Sequence, residues 1–253
     1  MYDFANKVVL ITGGSAGIGL ATAQRFVRAG ATVVIAGRDA SRGAAARQAL
    51  GDVAYFIAAD MAKPTEIEAM IAQCLQQFGR IDIAVNNAAA EFPLVPLADL
   101  PDASADLSIA TDLRGTWLCM KLEINAMLKS GGGVIVNVSS TNGVKGTANA
   151  AMYSATKHGI NGLTSAAARE YIQHGIRINT VCPGAIETPR RERRLAGFTP
   201  AQIEAHYADM AKIVPAKRVA RADEVAAGIL WLCSDESSYV VGHNLVIDGG
   251  LTA

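Results

Sequence analysis

Three residues in the middle of the chain have the types and spacing for proton transfer at a carbonyl or alcohol oxygen: Ser140, Tyr153 and Lys157. Ser140 follows the apolar run Val134–Val138, and Tyr153 and Lys157 stand four apart in a helical pattern, which puts them on one face. Reducing a carbonyl delivers hydride to carbon and leaves charge on oxygen, so a donor must hold that oxygen and then protonate it. A free phenol titrates near ~10, and bringing a phenol to about 7 requires roughly 4 kcal/mol of preferential stabilisation of the phenolate. One ammonium about 4 Å away supplies roughly that at an effective dielectric of about 20. Lys157 is spaced for this task, and the Ser140 hydroxyl for holding the substrate oxygen. Taken singly these residues are commonplace, since Tyr-x-x-x-Lys arises by chance on helices and Ser139–Ser140 can simply end a strand. Their weight comes from joint placement beyond a strand, with a glycine turn upstream.

That turn, Thr12 to Gly19, follows the first apolar run directly. Glycines at 13, 17 and 19 let the backbone turn tightly and approach a pyrophosphate, with Ser15 and Ile18 between them and the start of a helix behind. The spacing G-x-x-x-G-x-G lacks the Lys-Ser/Thr of a triphosphate loop. The end of the second strand should meet the adenosine ribose, where an Asp or Glu would select NAD. Here Gly37 is followed by Arg38, whose planar, permanently charged fork suits a 2′-phosphate. NADP(H) is therefore the expected cofactor, with NAD(H) as the alternative through a one-residue shift to Asp39.

The positioning elements alternate. Strands are expected at Lys7–Thr12, Thr32–Ala36, Val53–Ala58, Ile81–Val85, Val134–Val138, Ile176–Val181 and Asn244–Ile247. Helices are expected at Ile18–Ala29, Ser41–Leu50, Pro64–Phe78, about Ala103–Leu128, Tyr153–His174, Thr199–Ile213 and Asp223–Cys233. Strand then helix, repeated, implies a single α/β domain over residues 1–253 of the Rossmann kind: a doubly wound parallel sheet of about seven strands with helices on both faces. Such sheets bind ligands beyond the carboxyl ends of their strands, where the motifs above fall.

Composition narrows the partners. The 253 residues are 51% hydrophobic with a formal net charge of zero, so a large core is available and a nucleic-acid partner is disfavoured. No run of 18 or so apolar residues and no basic, apolar leader occur, so neither a membrane span nor secretion is expected. Four scattered cysteines and four scattered histidines make no metal-ligand spacing; the expectation is no metal, and reduced core cysteines in a cytoplasmic protein.

The motifs together resemble the short-chain dehydrogenase/reductase family over nearly the whole chain. Thr12–Gly19 matches its cofactor turn, Asp60 with Met61 its adenine-side residues, and Asn86-Asn87-Ala88-Ala89 its N-N-A-G strand end. Ser140, Tyr153 and Lys157 match its catalytic set, thirteen positions separating Ser from Tyr. Pro183-Gly184, Ile186 and Thr188 match its nicotinamide stretch, and Val241-Gly242 and Asp248-Gly249-Gly250 its C-terminal signature. Gly37-Arg38 is similar to the NADP-preferring members. The resemblance implies a nicotinamide-dependent oxidoreductase of a small carbonyl or alcohol, cofactor contacts at Asn87, Ala88, Tyr153 and Lys157, and a homotetramer or homodimer built on the faces of the Ala103–Leu128 and Tyr153–His174 helices. It also exposes two departures. Ala89 stands in place of Gly, and Asp112 stands where the family has the Asn of a water relay to the catalytic Lys. Asp112 is expected to join the catalytic set, through its backbone carbonyl or through its charge beside Lys157.

The substrate is less legible. Glu91–Pro101 and a lid at about Glu187–Pro215 should wall the site. Arg190, Arg191, Arg193 and Arg194 read either as an anion site or as a solvated helix face. Rival functions are a cofactor-binding regulator without turnover, and a related enoyl reductase or epimerase.

Overall fold

The computed structural model describes residues 2–253 of the chain. Among the described residues nine strands form: β1 (Val8–Thr12), β2 (Thr32–Gly37), β3 (Ala54–Ala58), β4 (Ile83–Asn86), β5 (Gly133–Val138), β6 (Ile176–Pro183), β7 (Ile186–Glu187), β8 (Ala220–Arg221) and β9 (Asn244–Ile247). Between them lie α1 (Gly17–Arg28), α2 (Ala40–Leu50), α3 (Pro64–Phe78), α4 (Asp102–Ser108), α5 (Gly115–Ser130), α6 (Ala151–Tyr171), α7 (Pro189–Arg194), α8 (Pro200–Ile213) and α9 (Ala222–Cys233). Seven strands make one sheet in the order β3-β2-β1-β4-β5-β6-β9, every pair parallel. This is the Rossmann arrangement, and the order reverses between β1 and β4, which opens a crevice at their carboxyl ends.

The β-branched runs become strands because both of their faces are covered. Successive side chains alternate: Leu10, Val34, Ala84, Ile135 and Ile178 pack under Ile67 and Met70 of α3 and Leu118 of α5. Val9, Ile11, Val33, Ile35, Val85 and Val136 pack under Phe26 of α1, Leu50 of α2 and Ile229 of α9. Terminal signals act as expected: Pro64 opens α3, and Gly79 ends it with φ of 74°. All four cysteines are free and buried. Among the described residues no three or more His, Cys, Asp or Glu side chains group as for a metal, and no helix is long and apolar enough to cross a membrane.

Three features depart from the sequence reading. The expected continuous helix at Ala103–Leu128 is α4, a π-helical turn at Ile109–Arg114, and α5. In that turn the Gly115 amide donates to the Ala110 carbonyl five residues back, an insertion that apolar periodicity does not register. The second is α7, PRRERR, absent from the expected helices because it has no apolar face, although a solvated helix face was one reading of its arginines. The third is β7 pairing with β8, each two residues long, too short for an alternation to appear.

Candidate active site

A cleft of about 540 Å³ runs along the carboxyl ends of the strands. Its floor is the glycine turn. Gly13 and Gly17 take φ of 64° and 54°, and a Cβ on Gly13 would lie 2.8 Å from Asn87 Nδ2 and 3.0 Å from Ala88 Cα. That closeness is built, because Asn87 Nδ2 donates to the carbonyls of Thr12 and Gly13 at 3.0 and 3.1 Å. Thr12 Oγ1 accepts the amides of Asn87 and Ala88 at 3.0 and 3.1 Å. The ends of β1 and β4 are thus latched across the point where the strand order reverses. Helix α1 begins here with no side-chain cap and no acidic residue in its first turn, which leaves its amides and dipole facing the cleft. A cradle a Cβ would fill, beside an uncapped helix start, fits a dinucleotide pyrophosphate.

Ser15, Ile18, Asp60, Met61, Ala88 and Ala89 line the same cleft, as do Pro183, Gly184, Ile186 and Thr188. Gly19 does not. A Cβ there would lie 2.3 Å from the Gly13 carbonyl oxygen and 2.6 Å from Asn87 Nδ2, so Gly19 lets α1 approach the turn. At the adenosine end Arg38 lines the cleft and, among the described residues, makes no hydrogen bond or ion pair through its side chain. Asp39, the rival to Arg38, is occupied as the cap of α2: Oδ1 accepts the Arg42 amide at 2.9 Å and Ser41 Oγ at 2.8 Å, and Oδ2 accepts Arg42 Nη2 at 2.7 Å. The Arg42 amide, then the Ser41 hydroxyl, hold its carboxyl down at about 2. Arg42, in the first turn of α2, also faces the cleft, and sequence reasoning did not single it out.

Deeper in, Ser140, Tyr153 and Lys157 come together. Lys157 is buried; its Nζ donates to the Val138 carbonyl at 3.1 Å and lies 5.5 Å from the Tyr153 ring centroid. Ser139 Oγ donates to the Lys157 carbonyl at 3.0 Å, tying α6 to the end of β5. Ser140 Oγ accepts the Asn142 amide at 3.1 Å, which aims the hydroxyl. Asp112 sits behind the cleft wall, 1% exposed: its Oδ1 accepts the Ala90 amide at 2.6 Å, and its Oδ2, without a hydrogen bond, is 4.0 Å from Lys157 Nζ. Burial raises the Asp112 carboxyl above its ordinary range, opposed by Lys157, the Ala90 amide and Arg190.

The outer wall comes from the two segments expected to form it, Glu91–Pro101 and Glu187–Pro215. Phe92 stacks on Tyr153 with centroids 4.0 Å apart at 18°. Arg194 Cζ lies 4.2 Å from the Phe92 ring, and Arg190 Cζ lies 5.0 Å from it and 5.4 Å from the Tyr153 ring. Glu91 pairs with Arg193 at 2.6 Å and with Arg190 at 3.6 Å.

Comparison with known proteins identifies the family. A family model described as enoyl-(acyl carrier protein) reductase matches residues 13–252. The chain is 38% identical over 257 residues to a 2,5-dichloro-2,5-cyclohexadiene-1,4-diol dehydrogenase of Sphingobium indicum, covering 100% of both. It is 40% identical over 255 residues to a cis-4-hydroxycyclohexanecarboxylate dehydrogenase of Sinomonas cyclohexanicum, covering 99% of this chain and 98% of that one. An actinorhodin polyketide ketoreductase crystallised with NADPH superposes with a TM-score of 0.90 at 33% identity over 97% of each chain. Full-length matches to named dehydrogenases and reductases, on the fold and cleft described above, place the chain in the short-chain dehydrogenase/reductase family as a nicotinamide-dependent oxidoreductase of the alcohol dehydrogenase and carbonyl reductase class.

Proposed function

We propose that the protein interconverts a secondary alcohol and a ketone on a small, ring-sized molecule with NADP(H), using Tyr153 as general acid/base. The observation that carries this is the convergence of Ser140, Tyr153 and Lys157 in the cleft that also holds the glycine turn. When bound, the nicotinamide supplies or takes the hydride. Ser140 donates to the substrate oxygen, Tyr153 gives or takes its proton, and the Lys157 ammonium stabilises the phenolate. Gly13, Ser15, Gly17 and Ile18 would hold the pyrophosphate, Asp60 and Met61 the adenine, and Asn87, Ala88, Pro183, Gly184, Ile186 and Thr188 the nicotinamide side. Asp112 acts as a positioning residue: it holds the Ala90 amide on one oxygen and faces Lys157 with the other. The unpartnered Arg38 guanidinium, with Asp39 spent as a cap, favours a 2′-phosphate and hence NADP(H) over NAD(H).

Residues 187–215 serve as a lid over the substrate, and the relatives named for cyclohexane rings support a cyclic substrate. Leu107, Ile109, Trp117 and Leu128 are large apolar side chains exposed along the α4–α5 segment and support assembly as a homotetramer or homodimer. Four unpaired, buried thiols suit the reducing cytoplasm.

The test is a panel of ketones, alcohols and one enone with both nicotinamides, wild type beside Tyr153→Phe. Ketone reduction should fall by roughly 10²–10⁴ in the variant, the range for losing a general acid, while cofactor binding persists. Turnover confined to the enone would assign the enoyl reduction described by the matched model. Cofactor binding without any Tyr153-dependent turnover would leave a regulator.

A further inference from the structure

The four arginines of α7 are not equivalent. Arg193 is neutralised by Glu91 at 2.6 Å. Arg190 donates to the Ala90 carbonyl and lies 3.6 Å from the same Glu91. Arg191 turns inward, its Nε donating to the Ile186 carbonyl at 3.2 Å and its Nη1 lying 2.7 Å from Met210 Sδ. Arg194 is left with one long contact, Nη2 to the Phe92 carbonyl at 3.4 Å, and among the described residues no carboxylate comes within ion-pair distance of it. Yet it lines the cleft that holds Tyr153, its Cζ 4.2 Å from the ring centre of Phe92, which itself stacks on Tyr153. The Arg194 guanidinium is exposed at the rim of the cleft and is repelled by Arg190, with Glu91 opposing through space. An anion delivered with the substrate finds a guanidinium there whose fork is not held by a carboxylate of the described residues.

We infer that Arg194 is a specificity determinant that takes the carboxylate of an anionic substrate: an alcohol or ketone on an apolar body that rests against Phe92 and carries one carboxylate. This deepens the oxidoreductase reading and rests on it. One unpaired guanidinium offers a planar fork for two oxygens and one negative charge, which is the form of a carboxylate. Glu91 already answers Arg193 and Arg190, so the wall carries little further positive charge for a dianion. The Phe92 ring separates the fork from the acid/base, so a substrate lying along its edge carries the anchoring charge and the reacting carbon at opposite ends.

The experiment compares 4-oxocyclohexanecarboxylate with its uncharged methyl ester as substrates of the intact enzyme with NADPH. In parallel, it measures binding of cyclohexanecarboxylate and cyclohexanecarboxamide to the enzyme–NADP⁺ complex. The wild type should prefer the acid over the ester by about tenfold or more in kcat/KM, and bind the carboxylate over the carboxamide by a similar factor. In Arg194→Gln both ratios should fall to near one, chiefly through KM for the acid, and Arg194→Lys should recover part of each. Because each ratio is taken within one protein, partial loss of folded enzyme cancels. Equal binding of acid and amide by the wild type overturns the inference, as does an Arg194→Gln variant that keeps the ratios or that weakens NADP⁺ binding instead. The two readings fail separately. Carboxylate-selective, Arg194-dependent binding without turnover of either substrate would sink the oxidoreductase reading alone. Tyr153-dependent turnover of acid and ester alike would sink the anion site alone.

Discussion

At the scale of single residues, charge placement decides the chemistry. Asp112 puts a carboxylate oxygen 4.0 Å from Lys157 Nζ in a site almost closed to water. A negative charge there opposes the formation of a second one on the reacting side of Lys157. Asp112→Asn should therefore move the acidic limb of kcat/KM for alcohol oxidation to lower pH, by a fraction of a unit to about one unit. A profile that stays in place shows that the Asp112 charge is outside the mechanism. Arg38 poses a cleaner question, since its guanidinium has no internal partner to lose. Losing a charge-assisted bond of about 1.5–3 kcal/mol should raise the NADPH KM of Arg38→Ala roughly 10–100-fold. KM for NADH should hardly change. A wild-type preference for NADH that Arg38→Ala leaves unaltered would reassign the adenosine end to the opposite cofactor.

At the scale of elements, the site depends on how closely α1, β1 and β4 approach. The end of β4 is latched to the turn after β1 through Asn87 and Thr12, and Gly19 allows α1 to close on both. A methyl group at 19 would overlap the Gly13 carbonyl oxygen, at 2.3 Å. Gly19→Ala should cost roughly 1–3 kcal/mol, the usual range for overpacking a close contact. Cofactor affinity should fall with it, because the shifted turn is the cradle itself. Unchanged Tm with normal cofactor binding would show that α1 can move without disturbing the turn. The π-helical turn between α4 and α5 works similarly: its extra residue sets Asp112 inside the protein, where its side chain meets Ala90 and Lys157.

At the scale of the whole molecule, one buried carboxyl couples stability to pH. Glu123 on α5 is fully buried; Asn86 Nδ2, from the end of β4, donates to its Oε2 at 2.9 Å and to Asn137 Oδ1 at 3.0 Å. Among the described residues neither Glu123 Oε1 nor Asn86 Oδ1 has a hydrogen-bond partner. Both are acceptors, and a proton on Glu123 removes the charge that burial penalises and supplies a donor where two acceptors lack one. Burial accordingly pushes the carboxyl from 4.5 up to about 7, with the Asn86 bond opposing. The sign follows from linkage. Below about pH 4.5 the group is protonated folded or unfolded; as pH rises through about 7 the unfolded chain has ionised, and the stability held by the buried acid is lost. Glu123→Gln keeps the acceptor and supplies the missing donor without a charge. It should be more stable than the wild type above pH 7, by up to about 3 kcal/mol and several degrees in Tm, and equal to it near pH 4.5. Parallel melting curves at every pH would show that Glu123 stays neutral, or finds another partner, across the range.

The amino-acid sequence by itself determined what depends on near neighbours along the chain. Unbroken apolar runs such as Val33–Ile35 set strands buried on both faces, glycines at 13 and 17 set the turn, and the four-residue step from Tyr153 to Lys157 set a shared helix face. With right-handed crossovers, those local facts place every strand end on one side of the sheet. Tertiary structure alone decided which distant side chains share a volume: Asp112 with Lys157, Glu123 with Asn86, and Arg194 over Phe92 and Tyr153. It also separated four arginines that look alike in sequence, because an arginine's role is set by whichever carboxylate or carbonyl packing brings within reach. Spacing records which face a residue occupies; the partner across the gap belongs to another element, and only the packed structure brings the two together.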